Sequence, residues 1–144
     1  MDPQRKARYQ DKLQKFDRYF DQYTKWLASH PINNLDLEGD AHWVYAIIHV
    51  FQNLAELCSD LAAMIIKDKK LIPKDNYSNY KLLQEKNILS EKSYQILIKV
   101  NGLRNRVAHE YNGLNYNIAW EAMEQFIDGL EAIKEEFGSW LAQR

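Results

Sequence analysis

An all-α fold, an antiparallel bundle of four long helices plus one short helix, is predicted by three observations. Apolar residues recur at steps of three and four through most of the chain, the spacing that gives a helix one buried stripe. No run alternates apolar and polar residues with comparable strength, as a half-buried strand would. Helix-stopping residues fall between the stripes, at Pro31, Pro73 and Asn112-Gly113.

The first stripe runs from Tyr9 through Leu13, Phe16, Phe20, Tyr23 and Leu27, and closes near His30-Pro31. Pro31 to Asp40 reads as a loop, with Asp40 placed to cap the next helix. From Ala41 to Lys67, Val44, Ile47, Ile48, Phe51, Leu54, Leu61, Met64 and Ile65 cover more than one face, which predicts a central helix buried on most sides. The cations Lys67, Lys69 and Lys70 suit the negative end of its dipole, and Pro73 cannot continue it. A short helix fits Asn79 to Glu85. Ser90 and Glu91 then start a helix with Ile96, Val100, Leu103 and Val107 on one side, ending at Asn112-Gly113. A last helix is predicted from Tyr116 to Leu141, with Ile118, Ala122, Phe126, Leu130, Ile133 and Phe137 as its buried edge. The 144 residues show no repeat or long linker, so residues 1–144 are read as a single domain.

Charge narrows the function classes. Lys plus Arg number 19 and Asp plus Glu 20, so no overall field favours DNA through counterion release, and any RNA contact must be local. The single Cys58 sits in an apolar helical run, which argues against a disulfide framework or thiol-rich metal site and fits a reducing cytoplasm. The N-terminus lacks the apolar core of a leader, and no apolar run approaches the roughly 20 residues of a membrane span. The expectation is a cytoplasmic protein with no membrane, metal or cofactor. No Gly-rich phosphate loop and no Ser-His-Asp order is visible.

The chemistry concentrates in RNRVAHEY, Arg104 to Tyr111. On a helix Asn101, Asn105 and His109 fall at i, i+4 and i+8, while Arg104, Ala108 and Tyr111 form the adjacent strip. Cleaving RNA without a metal needs a group that moves protons and a cation that stabilises charge on the phosphoryl group. His109 and Arg104 supply both, and His109 lies in the last turn, where the helix dipole favours a cation. Five residues at about 100° each nonetheless place Arg104 and His109 roughly 140° apart. Either the helix loosens after Asn105, or two copies pool their side chains across a two-fold axis, which predicts a homodimer.

An arginine, a polar residue, and then a histidine and a tyrosine at this spacing resemble the HepT-like toxins of the HEPN superfamily. The segments YAIIHVFQNLAEL and NYKLLQEKNILSEKSYQILIKVNGLRNRVAHEY and the closing helix are similar to that family in order and spacing, over most of the chain after Gly39. The resemblance implies a dimeric endoribonuclease in which Arg104 and His109 form the catalytic core and Asn105 supports them. It also implies a minimal nucleotidyltransferase antitoxin that adds AMP to the motif tyrosine, here Tyr111, and blocks the RNA site. Asn112-Gly113 departs from the bulkier continuation of many relatives. The alternative is a non-catalytic subunit that docks on a nucleotidyltransferase; intact Arg104, Asn105 and His109 favour the enzyme.

Other polar features have plainer readings. His42, His49 and Glu56 repeat every seven residues, but no Glu-x-x-His occurs, so a solvated or partner-facing stripe outweighs a metal site. The Lys67–Lys70 cluster reads as a solvated helix end before an RNA contact. Trp26, Trp43, Trp120 and Trp140 lie on helical stripes, where packing accounts for them better than base stacking.

Overall fold

Asp2 and Pro3 start the chain's first helix before its apolar stripe begins. Asp2 Oδ1 accepts from Gln4 N–H at 2.8 Å, and proline at the first helical position gives up an N–H that has no helical partner anyway. The computed structural model describes residues 1–109 and 113–144. Its α-helices are α1 (Pro3–Ser29), α2 (Ala41–Asp68), α3 (Asn76–Glu85), α4 (Glu91–His109), α5 (Tyr116–Gln125) and α6 (Ile127–Ala142), with one 3-10 turn at Ile32–Asn34.

Cross-helix pairs give the topology. Arg5 meets Asp68 and Lys12 meets Asp60, so α1 and α2 run antiparallel. Tyr9 packs on Trp140 and Lys134 pairs with Asp17, which sets α6 against α1 in the same sense. Glu136 accepts from Ser90 N–H and from the Ser93 hydroxyl, so α6 also runs against α4. The α4–α6 approach is close: a Cβ on Gly129 would come within 2.9 Å of Ile96 Cγ2. The four long arms of the bundle are therefore α1, α2, α4 and the α5–α6 pair, with α3 packed against α2 and α4.

The core is the predicted set with local exceptions. Phe16, Tyr23, Leu27, Phe51, Leu54, Leu61, Ile65, Val100, Leu103, Leu130, Ile133 and Phe137 are buried, Leu97 is buried where Ile96 was expected, and α2 is the most buried helix. Cys58 is sealed inside, and burial pushes its thiol up to about 12, which leaves no thiolate nucleophile at neutral pH.

The ends of α2 agree with the sequence reading to within one residue but close by other means, and two further boundaries differ. Asp40 precedes α2 but makes no side-chain cap; its carboxylate accepts from Asp36 N–H at 3.0 Å, so the loop takes it. The end of α2 is a backbone motif: Lys70 takes φ 64, Leu71 N–H reaches Ile66 O at 3.1 Å, and Lys70 N–H reaches Lys67 O at 3.0 Å. α3 starts one turn early because the Asp75 carboxylate accepts from Ser78 N–H and hydroxyl at 2.9 and 2.8 Å. The predicted last helix is two, α5 and α6, joined at Phe126. The Tyr23 hydroxyl donates to Met123 O, the carbonyl that Ile127 N–H would use in an unbroken helix, and a side chain inserted into the ladder bends a helix.

Ile118, expected on the buried edge, is 61% exposed. Trp120, two residues on and fully buried, takes the inward direction and donates Nε1–H to His30 O at 3.1 Å. Two residues turn a helix by about 200°, so seating Trp120 turns Ile118 out.

Candidate functional site on the fourth helix

α4 is helical through His109 and does not loosen after Asn105. Its Leu97, Val100, Leu103 and Val107 are buried, so the opposite face looks outward. Arg106 and His109 are the basic residues of the last described turn of α4.

Arg104 and Asn105 are half-buried, whereas Ala108 and His109 are exposed. Arg104 stands near the Tyr80 phenol of α3. Burial raises Tyr80 well above its ordinary value, Cys58 and Asp60 add to that, and the Arg104 charge pulls the other way. The phenol therefore stays neutral beside the guanidinium. Asn101, read as part of the polar strip, is 7% exposed and turned inward. Its Oδ1 accepts from Asn76 Nδ2 at 3.0 Å, which ties α3 to α4 just before the motif. Asn101 is thus a structural residue, and the polar strip reduces to Asn105 and His109. Tyr111, together with Glu110 and Asn112, lies outside the described residues.

A continuous helix leaves Arg104 and His109 about 140° apart around its axis, as ideal geometry requires. One chain does not bring them to a single reacting atom. Two clefts of about 520 and 730 Å³ lie at the opposite end of the bundle, around Lys69, Trp140 and Arg144. Neither is lined by a motif residue.

Other polar features take ordinary places. His42, His49 and Glu56 are exposed along α2, and Lys67, Lys69 and Lys70 are exposed at its C-terminus. Trp120 and Trp140 are buried; Trp26 and Trp43 pack edge to face at 5.7 Å, and His30 stacks on Trp43 at 3.9 Å. Among the described residues, no group of three His, Cys, Asp or Glu is arranged to hold a metal, and no helix is long and apolar enough to cross a membrane.

The structure adds residues that sequence reasoning passed over. Tyr77 Oη and Arg106 Nη1 converge over Gly102, 3.9 and 3.8 Å from where a Cβ would stand. Arg106 was legible as the residue three before His109, one helical step along the same face. The parts played by Asn76, Tyr77 and Tyr80 depend on α3 docking against α4, which no spacing announces.

The family model described as "Ribonuclease HepT-like" matches residues 10–137. Among curated proteins, the chain is 28% identical over 121 residues to a candidate RNase of Archaeoglobus fulgidus, spanning 84% of each chain. It is 33% identical over 95 residues to the mRNA nuclease HepT of Shewanella oneidensis, spanning 60% of this chain and 71% of that one. Among solved structures, it superposes on the tri-AMPylated Shewanella oneidensis HEPN toxin in complex with its MNT antitoxin, with TM-score 0.79, 20% identity, and 91% and 96% of the two chains covered. That last likeness establishes the fold.

Proposed function

The chain belongs to the HepT-like ribonuclease family, and on that premise we propose that it is the toxin of a toxin–antitoxin pair, a metal-independent endoribonuclease that works as a two-fold homodimer. The observation that carries this reading is α4 itself: it stays helical through His109, so Arg104 and His109 diverge on one chain and a shared site needs a second copy.

In such a dimer the two α4 ends face each other and each contributes an arginine and a histidine. His109 takes the proton of an RNA 2′-hydroxyl as that oxygen attacks the adjacent phosphorus. The bond from phosphorus to the 5′ oxygen breaks, and the partner's His109 gives the leaving oxygen its proton. The products are a 2′,3′-cyclic phosphate and a free 5′-hydroxyl. Arg104 stabilises charge on the phosphoryl oxygens, and Asn105 orients the site.

Neutralisation uses Tyr111. A minimal nucleotidyltransferase antitoxin transfers AMP from a nucleoside triphosphate to the tyrosine oxygen, and pyrophosphate leaves. The solved relative is itself a tri-AMPylated toxin bound to its antitoxin. Tyr111 follows Arg104 by seven residues in the sequence, and a phosphodiester on that tyrosine would compete with RNA for a cation of the site.

One experiment with three arms tests the reading. Purified wild type cleaves RNA in EDTA; Arg104→Ala and His109→Ala each lose roughly a hundredfold or more, the scale of acid–base catalysis, while keeping the wild-type helical spectrum. Co-expression with the cognate nucleotidyltransferase adds whole AMP units at Tyr111 and suppresses cleavage. Full cleavage by both alanine variants, or its loss in EDTA, refutes the mechanism. Binding to the nucleotidyltransferase without any RNA cleavage makes the chain a docking subunit instead.

A further inference from the structure

From Lys92 to His109 the chain contains no Asp or Glu, yet it carries Lys92, Lys99, Arg104, Arg106 and His109. These basic residues are not spread evenly around α4. Taking Gly102 as the reference direction, ideal geometry puts Lys99 about 60° and Arg106 about 40° to one side, with His109 about 20° to the other. Lys99, Arg106 and His109 are all exposed, so the outward face of α4 is a basic strip that runs into the proposed catalytic histidine.

The middle of that strip is a notch. Gly102 has no side chain, and the space its Cβ would fill is walled by Arg106 Nη1 at 3.8 Å and by the Tyr77 hydroxyl at 3.9 Å. Tyr77 comes from α3 and is 41% exposed. Two donors, one cationic and one neutral, therefore converge on a place where the helix surface is lowest. Glycine in a helix interior is unfavourable, so its presence here calls for something that uses the space. The acid closest in sequence to Tyr77, Asp75, is turned onto Ser78 by two hydrogen bonds. An oxygen of a phosphodiester seated over Gly102 accepts from Arg106 and Tyr77 at once. The next phosphates of an extended strand then lie toward Lys99 on one side and His109 on the other.

We propose that the notch over Gly102, walled by Arg106 and Tyr77 and flanked by Lys99, is a phosphate-binding subsite that holds single-stranded RNA in register with His109. This rests on the ribonuclease reading and deepens it: Arg104 acts at the scissile phosphoryl group, whereas Arg106, on a different face, holds a neighbouring phosphate.

The notch supplies its own control, because alanine fits there at ordinary van der Waals distance. Gly102→Ala improves helix propensity and raises the melting temperature, yet fills the space an RNA oxygen needs. The measurements are steady-state cleavage of a short unstructured RNA by wild type, Gly102→Ala, Arg106→Gln, Arg106→Lys and Lys99→Gln, with the Kd for the same RNA at several salt concentrations on a His109→Ala background. KM rises roughly tenfold for Gly102→Ala and Arg106→Gln, as expected when a charge-assisted hydrogen bond is lost, and kcat falls far less. The slope of log Kd against log salt becomes shallower by about 0.7 for Arg106→Gln and for Lys99→Gln, one phosphate contact each, and holds for Arg106→Lys. Light scattering reads the same assembly for every variant.

If wild type cleaves RNA but KM and salt slope match it in all variants, the subsite is wrong while the ribonuclease reading stands. If wild type cleaves no RNA, both fall. If the variants keep KM but escape the nucleotidyltransferase, or lose their assembly, the face docks a protein and the subsite is refuted.

Discussion

Asp68 of α2 joins two residues of α1, Arg5 and Tyr9, through one carboxylate. Its oxygens accept from Arg5 Nε at 2.9 and 3.1 Å and from the Tyr9 hydroxyl at 2.5 Å, while Arg5 also reaches Met64 O at 3.3 Å. Partial burial works to raise this carboxyl, but the hydrogen bonds from Arg5 and Tyr9, with the Arg5 charge, outweigh it and hold the group below its ordinary 3.8. A carboxyl that is more acidic in the folded state stabilises the fold above its unfolded value, and that contribution is lost as pH falls through the folded value. Asp68→Ala should therefore cost about 2 kcal/mol near neutral pH, the scale of a charge-assisted hydrogen bond in a partly buried setting. The gap from wild type should close as pH drops below about 3.8. Urea melts at pH 7 and pH 3 measure it; an equal gap at both would mean that the loss is packing alone. Neither Asp68 nor Arg5 is conspicuous in the sequence, since their meeting depends on α1 and α2 pairing over 63 positions.

At the scale of elements, the junction at Phe126 is where the closing helix departs from a single stripe. Tyr23 is fully buried, and burial first, with the nearby Glu124 charge second, keeps its phenol neutral and able to donate to Met123 O. Tyr23→Phe removes that donor and returns the Met123 carbonyl to Ile127 N–H. We expect a cost of about 1 kcal/mol, the net value of one buried hydrogen bond, together with slower hydrogen exchange at the Ile127 amide. Unchanged exchange there would mean that packing, not the hydroxyl, sets the bend. The existence of each helix was legible from apolar spacing, because burial of one stripe is a property of the segment itself. The ends were less so. Asp40 carries the right side chain for a cap and spends it on Asp36, and the close of α2 rests on a left-handed lysine rather than on glycine.

For the whole molecule, the proposed mechanism requires that diverging Arg104 and His109 act on one phosphate. Light scattering at micromolar concentration should report a dimer. A sharper test mixes wild type with an equal amount of His109→Ala: if one site needs a histidine from each copy, mixed dimers are dead, and random pairing leaves about half of the cleavage that the same wild type gives alone. A monomer that cleaves RNA, or cleavage undiminished by the variant, would remove the shared site.

By itself the sequence determined the all-α class, the number of long arms and most of the core, and it singled out the segment to which the chemistry is assigned in the proposal. Each of these follows from local spacing and from residue types with few ways to act. Only tertiary structure decided which motif neighbours are structural and which are exposed. Asn101 faces inward because Asn76 waits there, and Arg104 lies beside a buried phenol. Gly102 becomes a walled notch only when α3 brings Tyr77 over it. The physical reason is the same in each case: a side chain's partner is set by which helices pack together, and that choice is made by long-range burial, which no spacing within one helix records.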